Sequence, residues 1–144
     1  MVNATIAKFG YPATRVAETT HWMILLRPQA VTLGSLVLAA KSDATAFSDL
    51  PVESFTDLAA ATDTIEAALR GFVAYDKVNY LMLMMVDPHV HLHVIPRYEG
   101  SRSFDAVNYL DAGWPGMPTL SAARALDAET VARMIEALRE CGLA

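Results

Sequence analysis

Apolar residues recur along this chain with two different periods. From Val16 to Leu26, β-branched and large apolar residues predominate until Arg27-Pro28, which reads as one or two strands closed by a proline. After a loop, Leu33-Gly34-Ser35 leads into Leu36-Val37-Leu38-Ala39-Ala40, a short apolar run typical of a covered strand, and Lys41-Ser42-Asp43 closes it. From Ser54 the period lengthens: Phe55, Leu58, Ile65, Leu69 and Phe72 recur at helical spacing, with Pro51 ahead of them and Gly71 near their end. Val78 to Val86 is strand-like again. Beyond Asp87-Pro88 the segment His89 to Ile95 alternates histidine with Val, Leu and Val until Pro96 ends it, so two adjacent antiparallel strands are predicted. Arg97 to Leu126 carries Gly100, Gly113, Pro115, Gly116 and Pro118 with weak periodicity and reads as a long surface loop, a feature often tied to function. Asp127 is placed to cap a last helix whose apolar face is Val131, Met134, Ile135 and Leu138, with Gly142 past its end. The order strands, helix, two strands, loop, helix predicts one α+β domain over residues 1–144, built on an antiparallel sheet.

Composition narrows the function classes. A chain of 144 residues buries a core without disulfides or metals to staple it. With 53% apolar and 19% charged residues it is richer in apolar groups than an average soluble domain, an excess compatible with a subunit interface. The longest apolar runs, such as Trp22 to Leu26 and Leu81 to Val86, fall well short of the ~20 residues a membrane helix needs. Met1 to Tyr11 lacks the basic start and apolar block of a secretory signal, so a cytoplasmic protein is expected. The single cysteine, Cys141, reads as structural. A net charge of −5 argues against a nucleic-acid partner, so an anionic ligand has to be bound locally.

The chemistry concentrates in His89-Val90-His91-Leu92-His93-Val94-Ile95, which holds three of the four histidines. At positions i, i+2 and i+4 of a strand the imidazoles share one face, with roughly 6.5–7 Å between successive Cα atoms. Polar filling of a solvent-facing strand is one account of this row. A zinc site is another, although no Cys, Asp or Glu is interleaved and same-face histidines at this spacing do not converge on one ion without distortion.

All seven positions match the signature His-φ-His-φ-His-φ-φ, with φ apolar, and on it the chain resembles the histidine-triad (HIT) family. Arg27-Pro28-Gln29-Ala30-Val31-Thr32-Leu33-Gly34-Ser35 upstream, and Pro96-Arg97-Tyr98 and Gly113-Trp114-Pro115-Gly116 downstream, are similar to its bacterial diadenosine polyphosphate hydrolase-like branch. The resemblance covers roughly Thr20 to Gly116. It implies an antiparallel sheet of about five strands with one long helix and a C-terminal helix. It also implies that His91 attacks the α-phosphorus of a nucleotide, the substrates being dinucleoside polyphosphates or adenosine phosphoramidates, with no obligatory cofactor and no metal. The other ring nitrogen of His91 would donate to the His89 carbonyl, His93 would donate to non-bridging phosphate oxygens, and His89 would help position the phosphate or leaving group. A homodimer joined through the long helix and an adjoining strand is the family's usual assembly.

The departures from the family pattern mark further candidates. Gly34-Ser35 stands where many members have Gly-His, which makes Ser35 a candidate ligand contact and leaves His21 the sole other imidazole. Met85-Val86-Asp87-Pro88 replaces the usual Gly-Gln element, and Arg27 stands where some relatives place an asparagine, able to grip an anion with two bonds. Asn79, Arg97 and Trp114 complete the candidate substrate contacts, Trp114 by stacking on a purine or reaching a partner subunit, while Arg102 reads as a solvated charge or a phosphate contact. A nucleotide-binding protein with little turnover and a zinc-dependent hydrolase are the competing functions.

Overall fold

In the computed structural model, which describes residues 1–144, the apolar run before Arg27-Pro28 folds back on itself as β1 (Arg15–Glu18) and β2 (Trp22–Leu26). Ahead of them lies α1 (Ala4–Lys8), capped by the Asn3 side chain, which accepts from the Ile6 N–H. After β3 (Gln29–Ala30), Gly34 turns the chain at φ +85 into β4 (Leu36–Ala40). A Cβ at Gly34 would lie 3.2 Å from the Leu69 side chain, so the turn needs glycine for both conformation and space. The long helix is α2 (Val52–Val73), followed by β5 (Lys77–Leu81), β6 (His91–Arg97), β7 (Ser101–Phe104), β8 (Val107–Leu110), β9 (Arg124–Ala125) and α3 (Ala128–Glu140).

Five strands form one antiparallel sheet in the order β1-β2-β4-β6-β5. One face, with Trp22, Ile24, Leu26, Leu36, Leu38 and Val94, packs under α2 and α3 through Ile65, Leu69, Met134 and Leu138. The other face presents Met23, Leu25, Val37 and Ala39 to Ile6, with Val2, Phe9 and Tyr11 around them. Burial on both faces explains why β2 and β4 read as continuous apolar runs rather than as alternation. Trp22 ties sheet to helix, its indole N–H donating to the Ser54 carbonyl at 2.8 Å.

Several expected boundaries move. The helical stripe enters the core through Ala61, Ile65, Ala68, Leu69 and Val73, whereas Phe55 is exposed and pairs edge-on with Phe47. β5 stops at Leu81 rather than Val86: its last pair is Leu81 with His93, and the first two residues of β6, His91 and Leu92, pair with β4 alone. The triad strand begins at His91 and runs through Pro96 to Arg97. Proline is tolerated there because β4 ends opposite Val94, and the Pro96 carbonyl accepts from the Thr32 hydroxyl instead. The segment expected to be loop from Arg97 to Leu126 contains the hairpin β7–β8, and β9 pairs with β3. Asp105 and Ala106 make that hairpin turn at φ 50 and 65 without glycine, so the usual turn signal is missing from the sequence.

Candidate active site

The sheet register brings two of the three histidines onto one face. His91 is opposite Ala39 and His93 opposite Val37, both on the face under α1, and the two rings meet edge-on with centroids 5.2 Å apart. His91 is fully buried. Its Nδ1 lies 2.7 Å from the His89 carbonyl oxygen, and its Nε2 has no hydrogen-bond partner in the protein. A carbonyl only accepts, so in the neutral ring Nδ1 carries the proton and the lone pair is on Nε2, the tautomer a nucleophile at Nε2 needs.

His89 precedes the ladder rather than belonging to it. Its backbone N–H donates to the Thr5 hydroxyl at 3.2 Å, and its Nδ1 lies 3.2 Å from the same oxygen, so α1 holds it. Phe9, just past α1, packs against both other rings, at 5.8 Å from His91 and 5.7 Å from His93. None of these α1 contacts was expected, since Thr5 and Phe9 lie outside any motif.

A cavity of about 510 Å³ opens beside His93, lined by Arg27, Lys8, Phe9, Leu83, Met85, Val86, Asp87 and Leu120. Lys8 pairs with Asp87 across it. Arg27 directs its Nε toward His93 Nδ1 at 3.4 Å and a second nitrogen to the Gln29 carbonyl. Burial, and then the Arg27 and His91 charges, push the His93 pKa down to about 4, with Asp87 opposing. Burial also holds the Arg27 guanidinium below the usual arginine range.

The remaining candidates have other duties. Arg97 is buried and its guanidinium is fully engaged by the Asp111 carboxylate, at 2.7 and 3.2 Å, by Asn79 Oδ1 at 2.8 Å and by the Gly116 carbonyl at 2.8 Å. Arg97 and Asn79 thus pin the 111–116 turn to the sheet instead of facing the cavity. Trp114 is half-buried in that turn and does not line the cavity beside His93, which the same segment reaches through Leu120. Ser35 is buried, its hydroxyl donating to the Thr32 carbonyl and accepting from the Thr32 N–H, both at 3.0 Å, so it is engaged within its own turn. His21 lies against α2, its N–H donating to Asp57 at 2.7 Å, and does not stand in for a fourth histidine at the site. Arg102 caps α2, donating to the carbonyls of Val73 and Ala74 while its guanidinium lies 4.7 Å from the Tyr98 ring. No three His, Cys, Asp or Glu side chains come together in a way that would hold an ion.

The family model described as HIT domain matches residues 8–100. No curated sequence matches the chain. Among solved structures, a histidine triad protein from Marinobacter aquaeolei VT8 is similar over 100% of this chain and 98% of its own, at 21% identity and a TM-score of 0.75. One from Sinorhizobium meliloti 1021 is similar over 97% and 95%, at 19% identity and a TM-score of 0.75. The Plasmodium falciparum diadenosine triphosphate hydrolase shares the fold over 90% of this chain and 76% of its own, at 11% identity and a TM-score of 0.66.

Proposed function

The chain belongs to the HIT domain family, and from that membership we propose that it is a nucleotide hydrolase or nucleotidyl transferase acting through a covalent intermediate on His91. The proposed substrates are dinucleoside polyphosphates or adenosine phosphoramidates. The observation that carries the reading is the paired geometry of His91. Its Nδ1 is tied to the His89 carbonyl at 2.7 Å, and its Nε2 is unpartnered beside a second imidazole.

In the proposed step the His91 Nε2 lone pair forms a bond to the α-phosphorus, while the P–O or P–N bond to the leaving group breaks and its electron pair departs with that group, the amine of a phosphoramidate taking up a proton from solvent as it leaves. His93 donates to a non-bridging oxygen as charge builds there. Water then attacks the phosphorus and releases a proton to solvent, the P–N bond to His91 breaks with its electron pair returning to Nε2, and the nucleoside monophosphate leaves with the neutral imidazole restored. The neighbour named as a diadenosine triphosphate hydrolase supports the first substrate class. We propose further that the working form is a homodimer.

Trapping tests the reading. Wild type and His91→Gly are incubated with an adenosine phosphoramidate and with a dinucleoside tetraphosphate, following AMP release and protein mass. An adenylylated wild type that releases AMP, with both signals lost in His91→Gly, is the expected result. Nucleotide binding with neither adduct nor AMP would leave a binding protein. Stoichiometric zinc with chelator-sensitive turnover and no adduct would replace the covalent route by a metal-dependent one.

A further inference from the structure

We propose that Arg27 is a positioning residue that fixes the proton of His93 on Nε2, so that neighbouring histidines on one strand offer the same ring nitrogen, Nε2, to one phosphate in opposite protonation states: a lone pair from His91 and an N–H from His93. The inference rests on the nucleotidyl-transfer reading of the site.

The argument is one of donors and acceptors. Imidazole is ambiguous, since either nitrogen can carry the single proton of the neutral ring, and the partner on the far nitrogen decides. Behind His91 that partner is a carbonyl oxygen, 2.7 Å from Nδ1, which only accepts and therefore draws the proton to Nδ1. Behind His93 the partner is the Arg27 Nε, 3.4 Å from Nδ1, and a guanidinium only donates. At that distance the hydrogen bond is long, yet the electrostatic sign is the same: a positive charge beside Nδ1 favours a lone pair there and disfavours an N–H. Two equivalent side chains, two residues apart on one strand, are thereby made different by what stands behind them.

The guanidinium is held for this purpose. Its own backbone N–H donates to the Ser35 carbonyl at 3.0 Å, and a side-chain nitrogen donates to the Gln29 carbonyl. Arg27 forms no ion pair, whereas Lys8 beside it is paired with Asp87. The titratable and charged groups facing His93 are Arg27 at the end of β2, His91 on its own strand, and Asp87 and Lys8 across the cavity. Burial, the largest influence, and then Arg27 and His91 all disfavour a second proton on His93, and Asp87 alone favours it, so the ring is neutral at pH 7.

Two-bond proton–nitrogen correlation spectra of histidine-labelled protein read each tautomer without substrate. In wild type at pH 7, His91 is expected as the Nδ1–H form and His93 as the Nε2–H form. In Arg27→Met, His93 is expected to gain a measurable Nδ1–H population and to titrate at higher pH with His91 unchanged, while Arg27→Lys, which restores a donor, reverses both. In turnover, Arg27→Met is expected to lower kcat by about tenfold, a fraction of the loss seen when a whole oxyanion donor is removed. An Nδ1–H His93 in wild type would overturn the proposal. So would an Arg27→Met spectrum and titration identical to wild type with only KM raised, which is the behaviour of a residue that merely binds ligand. If no nucleotide is turned over by any form, the nucleotidyl-transfer reading falls while the tautomer assignment stands on its own spectrum.

Discussion

At His93, burial and neighbouring positive charge act in the same direction, and both disfavour the imidazolium. The unfolded chain protonates this residue near pH 6.5, whereas the folded one does so only near pH 4. Between those values the unfolded state holds more protons, so the contribution of His93 to stability is complete above pH 6.5 and is lost as pH falls toward 4. Urea midpoints of wild type are therefore expected to drop between pH 7 and pH 4.5 more steeply than those of His93→Gln, which cannot titrate. Equal slopes would mean that His93 titrates in the fold as it does in the open chain. The spacing of three histidines was legible in the sequence because alternation along a strand is a period that residue types reveal. The His89 carbonyl behind His91 followed from the family resemblance, but the Arg27 guanidinium behind His93 was not legible, because it reaches the ring through sheet order. The same gap covers Arg97, Asn79 and Ser35: a polar side chain near a motif looks the same in sequence whether it faces a ligand or, like Arg97, a buried carboxylate 2.7 Å away.

Among the elements, α2 and α3 followed from periodicity and the core strands β2 and β4 from unbroken apolar runs, since each buries its apolar side chains in the core. α1 did not, because a helix of five residues has too few positions to show a period. Its attachment is nevertheless well built. Asn3 donates to the Ala40 and Ser42 carbonyls at 2.9 and 3.1 Å, and Ile6 is fully buried, a contact worth about 1.5–3 kcal/mol. The Lys8–Asp87 pair adds little, since the lysine side chain is 55% exposed and such pairs contribute about 0–1 kcal/mol. α1 thus carries Phe9 over a histidine whose Nε2 is unpartnered and shielded. Phe9→Ala is expected to speed the acylation of His91 by diethylpyrocarbonate severalfold, read by peptide mass, with the fold unchanged by circular dichroism. An unaltered rate would show that something other than Phe9 covers the ring.

On the scale of the whole molecule the sheet has two ends, and the protein treats them differently. At β1 the Arg139 guanidinium from α3 donates to the carbonyls of Val16 and Arg15 at 2.9 and 3.0 Å, which blunts that edge. β5 ends the sheet on the other side. Pro96 has no N–H and gives its carbonyl to Thr32, so the pair Val78–Pro96 is a non-bonded one, and Val78 and Tyr80 turn their backbone groups away from β6. An open edge of this kind is a template for pairing, and closed symmetry is the economical way to satisfy it, with the same strand from a second copy running antiparallel across a twofold axis. The proposed homodimer therefore has a specific seam. Light scattering on wild type at micromolar concentration is expected to give twice the 15.6 kDa chain mass. Val78→Pro, which removes an outward N–H without touching the β5–β6 ladder, is expected to give the single-chain mass with its far-ultraviolet spectrum retained. A monomeric wild type would remove the dimer from the proposal. A dimer that survives Val78→Pro would move the seam away from β5, toward the exposed Phe47, Val52 and Phe55 at the start of α2, where the loss of apolar area rather than of a strand pairing would then decide assembly.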